Sequence, residues 1–195
     1  MILEAIYEGS FENSSHGFRP QRSPHTALSS IQKTFNNTKW FIEGDIKGFF
    51  DNIDHEVLIA ILSERISDER FLRLIRKFLN AGYVEDWIFH KSYSGTPQGG
   101  IISPILANMT LDGIEKKLVE RFHTNALGKV DSRFKNAHKV NFVRYADDFV
   151  VTAATPELAL EAKELIREFL AERGLELSDE KTVVTNIDDG FDFLG

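Results

Sequence analysis

The chain has 195 residues, 42% of them hydrophobic and 27% charged, so it is long enough and apolar enough to bury a continuous core. It contains no cysteine, which excludes disulfides, thiolate zinc sites and cysteine nucleophiles. The net charge of −7 argues against a simple nucleic-acid-binding protein, because phosphate contacts require lysine and arginine on the contact surface. Net charge does not report how charge is distributed, however, and a locally acidic metal site would explain the imbalance equally well.

Neither a zinc site nor a membrane-spanning helix is predicted from patterns in the sequence. The six histidines are spread along the chain without HExxH or H-x₃-H spacing, so no zinc site is predicted. Because no run of about 18 apolar residues is free of charge, we expect no membrane-spanning helix. The first residues, MILEAIYEGSFEN, lack the basic start and cleavage site of a secretory signal, and we expect a cytoplasmic location.

Helical and strand-like patterns alternate along the chain. Helices are predicted where apolar residues recur at helical spacing after a capping Ser, Asp or early Pro, and strands where aromatic and β-branched residues cluster. In chain order the predicted elements are a helix at 23–37, a strand at 40–46, helices at 54–65 and 68–82, a strand at 87–89, a helix at 103–122, strands at 140–145 and 149–152, a helix at 156–173, a strand at 182–185 and the start of another at 191.

Two stretches between these elements are predicted to be irregular. Residues 95–100 form a Gly-rich loop, and residues 125–139 form a connection with at most a surface turn of helix. The runs at 140–145 and 149–152 form a β-hairpin with carboxylates at its tip. This order predicts an α+β fold, an antiparallel sheet of the ferredoxin (RRM-like) type with helices on one face.

Three acids occur where predicted strands end. Asp45 follows the first strand, and Asp147 and Asp148 occupy the hairpin tip. Joining a nucleotide to a 3′-hydroxyl requires a deprotonated attacking oxygen and neutralised phosphates, and two Mg²⁺ ions about 4 Å apart provide both. Mg²⁺ prefers carboxylate and water oxygens, so clustered acids suit it. Taken alone, the Asp-Asp pair fits ordinary turn chemistry equally well, because Asp is common in turns.

Six segments in a fixed order decide between these interpretations. In that order the chain resembles bacterial group II intron-type reverse transcriptases and their relatives at CRISPR loci. The matching segments cover nearly the whole chain: SHGFRPQRS at 15–23, DIKGFFDNIDH at 45–55, GTPQGGIISP at 95–104, FVRYADD at 142–148, GL with EKT at 174–182, and FLG at 193–195. The resemblance implies a polymerase palm at 40–195, a partial fingers segment at 1–39, and an upstream fingers part and a thumb absent from this sequence.

The resemblance also assigns catalytic roles. Asp45, Asp147 and Asp148, with the backbone carbonyl of Ile46, would bind two Mg²⁺ ions, or Mn²⁺ in their place. Lys181 would stand near the triphosphate, to neutralise charge or protonate the leaving group. A solvated lysine is the alternative for Lys181.

Further residues would bind the substrates. Phe50, with Phe49 beside it, falls where such enzymes hold an aromatic ring against the sugar, so that a ribose 2′-hydroxyl is excluded; a core role is the alternative. Pro97, Gln98 and Gly99 would pack under the templating base pair, or form an ordinary turn. Arg19 and Arg22 would contact template or nucleotide phosphates, or form surface salt bridges.

The implied activity is RNA-directed DNA polymerisation. An RNA template, a DNA or RNA primer and dNTPs are the expected partners, intron RNA is a further candidate, and the oligomeric state stays open. Two alternatives also stay open. One is an RNA-binding maturase or splicing factor that uses the polymerase fold as a scaffold, and the other is an inactive fragment. The retained acids favour the enzyme.

Overall fold

The computed structural model describes residues 2–85, 88–90, 94–96, 100–190 and 193–194. Its elements are α1 (Ile2–Tyr7), a 3₁₀ turn (Glu8–Ser10), α2 (Pro24–Thr34), β1 (Trp40–Gly44), α3 (Phe49–Asn52), α4 (His55–Ser63), α5 (Glu69–Leu79), β2 (Tyr83–Glu85), β3 (Ile88–His90), α6 (Ser103–Leu111), α7 (Ile114–Phe122), α8 (Ser132–His138), β4 (Phe142–Tyr145), β5 (Asp148–Ala153), α9 (Pro156–Ala171), β6 (Val183–Asn186) and a second 3₁₀ turn (Ile187–Asp189).

The main sheet has four antiparallel strands in the order β4-β5-β1-β6. Together with its crossover helices this is the βαββαβ arrangement predicted from the sequence. A separate two-stranded hairpin pairs β2 with β3. The central position of β1 and β5 brings the end of β1 next to the hairpin turn between β4 and β5.

One face of the sheet carries the main hydrophobic core. Ile42, Phe149 and Val151 point into it and are 1% exposed or less. Helix α9 contacts β1, β5 and β6 on the sheet, and it turns its buried alanines and Ile166 inward because these recur at helical spacing. The predicted α+β fold, with helices packed on the sheet, is confirmed. Helix α2 additionally contacts β4 on the other side, where the rings of Phe35 and Phe41 lie 6.3 Å apart.

The predicted helix at 103–122 is wrong in one respect, because it is two helices. It breaks at Asp112 and Gly113, where Gly113 adopts φ of +101° and caps the start of α7. Only glycine adopts this conformation readily, so the chain changes direction there. The predicted irregular connection at 125–139 contains a real helix, α8, which is capped by the side chain of Asp131.

Other element boundaries differ by a few residues. The helices predicted to end at 37, 65 and 82 end at Thr34, Ser63 and Leu79, because capping contacts replace the last turn. Helix α1 and strand β2 were not predicted. Of the strand proposed from 191, the first two residues lie outside the described part of the chain.

The N-terminal segment shares the core with the sheet. Leu3, Tyr7 and Phe11 are buried in it, and the Tyr7 hydroxyl donates to the Leu62 carbonyl at 3.3 Å. The Glu12 carboxylate accepts the backbone amides that open α7. The boundary placed at residue 39 stays a prediction. Among the described residues, no helix combines the length and the apolar character needed to cross a membrane.

Candidate active site

The acidic hairpin turn lies at the end of β4 and β5. Tyr145 pairs with Asp148, so Ala146 and Asp147 form a two-residue turn. Ala146 adopts the left-handed conformation, with φ of +57°, as such tight hairpin turns require. Asp147 is half-buried and Asp148 is exposed. The predicted hairpin is confirmed with its carboxylates at the tip.

Asp45 comes to the same end of the sheet. The register pairs Gly44 with Phe149, so the next residue, Asp45, lies across from Asp148. Gly44 is required here, because an added Cβ would lie 2.6 Å from one carbon of the Phe149 ring and closer still to two others. The register therefore places the three aspartates that the sequence singled out at the same end of the sheet.

Lys181 joins the aspartates. Its Nζ atom lies 3.1 Å from Oδ2 of Asp45. Backbone contacts fix this approach: the Ser178 amide donates to the Asp45 carbonyl at 2.9 Å, and the Lys181 amide donates to the Ser178 carbonyl at 3.1 Å. The position of Lys181 is thus set by the same segment that extends the sheet beside Asp45.

The negative charges of neighbouring aspartates act on the pKa values of Asp147 and Asp148. Burial raises the pKa of Asp147, and the negative charge of Asp45 raises it further. Partial desolvation at this end of the sheet, followed by the charges of Asp147 and Asp45, raises the pKa of Asp148. The hydrogen bond to Asp45 raises the pKa of Lys181, which therefore stays positively charged. A cation placed among these acids would relieve their repulsion.

The donor set fits a hard divalent cation. Carboxylate oxygens are the ligands that Mg²⁺ prefers, and water and substrate phosphates ordinarily complete its coordination. Within the described ranges, no three His, Cys, Asp or Glu side chains converge into a ready metal cage. Ile46, the residue after Asp45, forms an isolated antiparallel β-bridge with Leu177. Its side chain is buried.

The aromatic ring proposed as the sugar gate lies beside this end of the sheet. Phe50 is half-buried on α3, with its ring centroid 5.2 Å from Phe49 and 6.3 Å from Phe18. The loop at 94–96 is tied to the same helix. The Thr96 amide donates to the Phe50 carbonyl at 2.6 Å, and the Gly95 carbonyl contacts Nε2 of His55 at 2.6 Å. Pro97, Gln98 and Gly99 lie outside the described residues.

Three residues that were predicted to contact substrate or template make contacts within the protein. Phe49 is 3% exposed within the core, so its ring supports Phe50 from below. Arg19 is 8% exposed, and it bonds the Glu8 carboxylate and the carbonyls of Glu12 and Ser15. Its donors are therefore used inside the fold and not presented to phosphate. Arg22 remains half-buried and donates to the Asn13 carbonyl at 2.6 Å.

Sequence reasoning missed a set of buried polar residues around the turn. Arg144 is 2% exposed, and it contacts Asn108 and Ser15. The sequence carries no specific prediction for His55, although its ring contacts the Gly95 carbonyl in the loop that precedes residues 97–99. The one available signal was an arginine inside the otherwise apolar run Phe142-Val143-Arg144-Tyr145, because a charge on a buried strand requires partners.

Comparisons with known proteins give matches over the whole chain. A model of the family described as reverse transcriptase (RNA-dependent DNA polymerase) matches residues 1–195. The group II intron-encoded protein LtrA of Lactococcus lactis subsp. cremoris is 38% identical over all of this chain and 41% of its own length. Protein YkfC of Escherichia coli K12 is 34% identical over all of this chain and 57% of its own length.

A solved structure supports the same fold. Telomerase from Candida albicans, determined in complex with a TWJ fragment of telomeric RNA, superposes with a TM-score of 0.70 at 15% identity. The match covers 100% of this chain and 35% of the telomerase chain. At this identity the likeness concerns the fold. The chain spans less than two thirds of the length of each of these three proteins.

Proposed function

We propose that this chain, which belongs to the reverse transcriptase (RNA-dependent DNA polymerase) family, provides the catalytic centre for adding dNTPs to a primer 3′-hydroxyl on an RNA template. The observation that carries the proposal is the meeting of Asp45, Asp147 and Asp148 at one end of the sheet, with Lys181 paired to Asp45. Mg²⁺ ions bound by these carboxylates would neutralise the triphosphate and lower the pKa of the attacking hydroxyl.

The residues of the chain have separate tasks in this reaction. Asp147 and Asp148 would supply carboxylate oxygens to the cation, and the cation would offset the crowding of charge that helps to raise their pKa values. Lys181 is held beside them and is suited to stabilise negative charge on the departing pyrophosphate. These tasks require positioning rather than covalent chemistry, as is general for phosphoryl transfer.

Phe50 is proposed to select the sugar. Its half-buried ring is supported by Phe49 and bordered by Phe18, so it cannot retreat easily from a 2′-hydroxyl. In Phe50→Ala we expect increased incorporation of ribonucleotides in primer extension with mixed dNTP and rNTP. The control is Phe78→Ala, which makes the same change at a ring that is 51% exposed on α5. Unchanged sugar discrimination in Phe50→Ala would remove the gate role.

The decisive experiment compares two Asp-Asp pairs in the same chain. The full-length protein is assayed for extension of oligo(dT) on poly(rA) with Mg²⁺ and dTTP. Replacing Asp147 and Asp148 by Asn should abolish extension. The control makes the same two substitutions at Asp188 and Asp189 in an exposed 3₁₀ turn, and it should leave the rate of extension unchanged. Extension that survives the first double change contradicts the proposal.

A second candidate function, intron RNA binding as a maturase, is favoured by the charge distribution. Residues 13–42 contain no Asp or Glu, although the chain as a whole carries a net charge of −7. A surface cleft of about 290 Å³ at the far end of β4 from the hairpin turn has no acid in its lining. Its lining residues are Lys33, Thr34, Asn36, Lys135, Asn136, Lys139 and Asn141. Such a surface suits a phosphate backbone.

The two functions are separable by mutation. Changing the three cleft lysines to Gln should weaken intron RNA binding and flatten its salt dependence, with extension on poly(rA) unchanged. The control changes three exposed lysines elsewhere: Lys77, Lys116 and Lys129. Equal effects of the two triple changes would contradict a specific RNA surface.

A further inference from the structure

A buried arginine lies directly below the acidic turn. Arg144 on β4 is 2% exposed and ranks among the largest side chains that the core encloses. Burying a guanidinium is costly unless its donors are paired, and an apolar residue of similar volume packs a core at least as well. The partners of Arg144 therefore indicate what the charge is used for.

The guanidinium reaches three separate segments of the chain. Nη1 donates to the Ala146 carbonyl at 2.8 Å and to Oδ1 of Asn108 at 3.0 Å. Nη2 donates to Oγ of Ser15 at 2.7 Å. Ala146 belongs to the hairpin turn, Asn108 to α6, and Ser15 to the segment before α2. A planar guanidinium holds such partners in one fixed geometry, which the single point charge of a lysine cannot do.

Contacts on the other side also hold the hairpin turn at Ala146 in place. The Asn108 amide donates to the Gly17 carbonyl at 2.9 Å, and Gly17 lies against the backbone of Ala146. Ala146 itself is in the left-handed region, which costs a non-glycine residue roughly 1 kcal/mol or more unless contacts hold it there. Arg144 supplies the contact to the carbonyl group of this residue.

Resting on the proposed polymerase function, we propose that Arg144 is a positioning residue whose hydrogen bond to the Ala146 carbonyl fixes the orientation of Asp147 and Asp148. Arg144 acts through the turn and does not touch substrate. A purely structural role would distribute its effect over the whole core. A positioning role confines the effect to the turn and to the rate of the chemical step.

The test is Arg144→Lys in the full-length protein, with two measurements. We expect the single-turnover rate at saturating dNTP to fall by about 10²-fold, as for misplacements near 1 Å, with the KM for dNTP within about twofold. Hydrogen exchange should become faster at the backbone amides of 145–149 and stay unchanged in β1 and β6. The exchange measurement does not depend on activity.

Ser15→Ala is the matched control. It removes one hydrogen bond from the same guanidinium but leaves Nη1 on the Ala146 carbonyl. We expect a lower thermal midpoint with a rate close to that of the unchanged protein. If Arg144→Lys unfolds below the assay temperature, Arg144→Gln takes its place, because it also lacks the guanidinium bond to the Ala146 carbonyl but buries no charge. The same loss of rate, with faster exchange confined to the turn, is then expected.

Three results would overturn the proposal. They are an unchanged rate in Arg144→Lys or its substitute, faster exchange throughout the sheet, and an equal loss of rate in Ser15→Ala. Asp147→Asn, assayed in parallel, separates the two levels of inference. If Asp147→Asn extends the primer, the proposed function fails. If Asp147→Asn is inactive while Arg144→Lys is fully active, the positioning role alone fails.

Discussion

Gly17→Ala should damage the acidic turn through a single added methyl group. A Cβ at Gly17 would lie 2.8 Å from Cα and 3.1 Å from Cβ of Ala146, and closer still to its amide nitrogen. Backbone atoms cannot rotate away as the end of a side chain can. To restore contact distances of roughly 3.5 Å to the amide nitrogen as well as to Cα, one of the two segments must move by about 1 Å or more.

The size of the effect follows from what holds these segments together. The His16 amide donates to the Arg144 carbonyl, and the Arg144 amide donates to the Ser14 carbonyl, both at 2.8 Å. A shift of this size strains both bonds, and overpacking of this kind costs about 1–3 kcal/mol. A misplacement near 1 Å reduces catalytic rates by up to about 10²-fold. We expect losses of this order in unfolding free energy and in primer extension.

Gly9→Ala provides the control for the same chemical change in the same segment. Gly9 is exposed in the first 3₁₀ turn, and a Cβ there would meet nothing within 4 Å. Urea unfolding and single-turnover extension of both variants would be compared with the unchanged protein. The reasoning is refuted if Gly17→Ala stays within about 0.5 kcal/mol with an unchanged rate, or if Gly9→Ala loses as much.

Further predictions concern two charged sites. Burial raises the pKa of Glu12 to about 7 from 4.5, so between these pH values the folded state keeps a proton that the unfolded state has lost. The free energy of unfolding should therefore fall by up to about 3 kcal/mol as pH rises through this window. Urea titrations from pH 4 to 8 should show that Glu12→Gln removes this dependence of unfolding free energy on pH. The same dependence in the variant and the unchanged protein would contradict the prediction. Lys181→Gln should slow primer extension by about tenfold or more without lowering the thermal midpoint. The control is Lys47→Gln, which removes the ion pair between a similarly exposed lysine and Glu176, 4.0 Å away, and should change neither quantity.

The sheet was predictable because each strand carries local signals. The aromatic run at β1, the aromatic and β-branched run in β5 and the two-residue turn between β4 and β5 are all readable from neighbouring residues. The break at Gly113 was missed because the apolar spacing continues on both sides of it. The Asp112-Gly113 pair was a turn signal, but helical periodicity outweighed it.

The candidate site was likewise predictable in part from the sequence. Asp45, Asp147 and Asp148 stood out because acids at strand ends meet wherever the strands are neighbours. The partners of Arg19 and Arg144 did not stand out, because they come from segments distant in sequence. Arg19 was predicted to contact phosphate, yet its donors are engaged by Glu8 and by main-chain carbonyls. Sequence pattern indicates which residues carry charge but not which partners satisfy it.

The bond between Ser15 and Arg144 joins residues that are 129 positions apart. During synthesis at about 5–20 residues per second, the N-terminal segment waits roughly 6–26 s before its partner strand exists. Contacts of such long range form late, because the loop between them must be closed first. The turn with its two aspartates is therefore expected to reach its working shape at the end of folding, after the helices between these segments have packed.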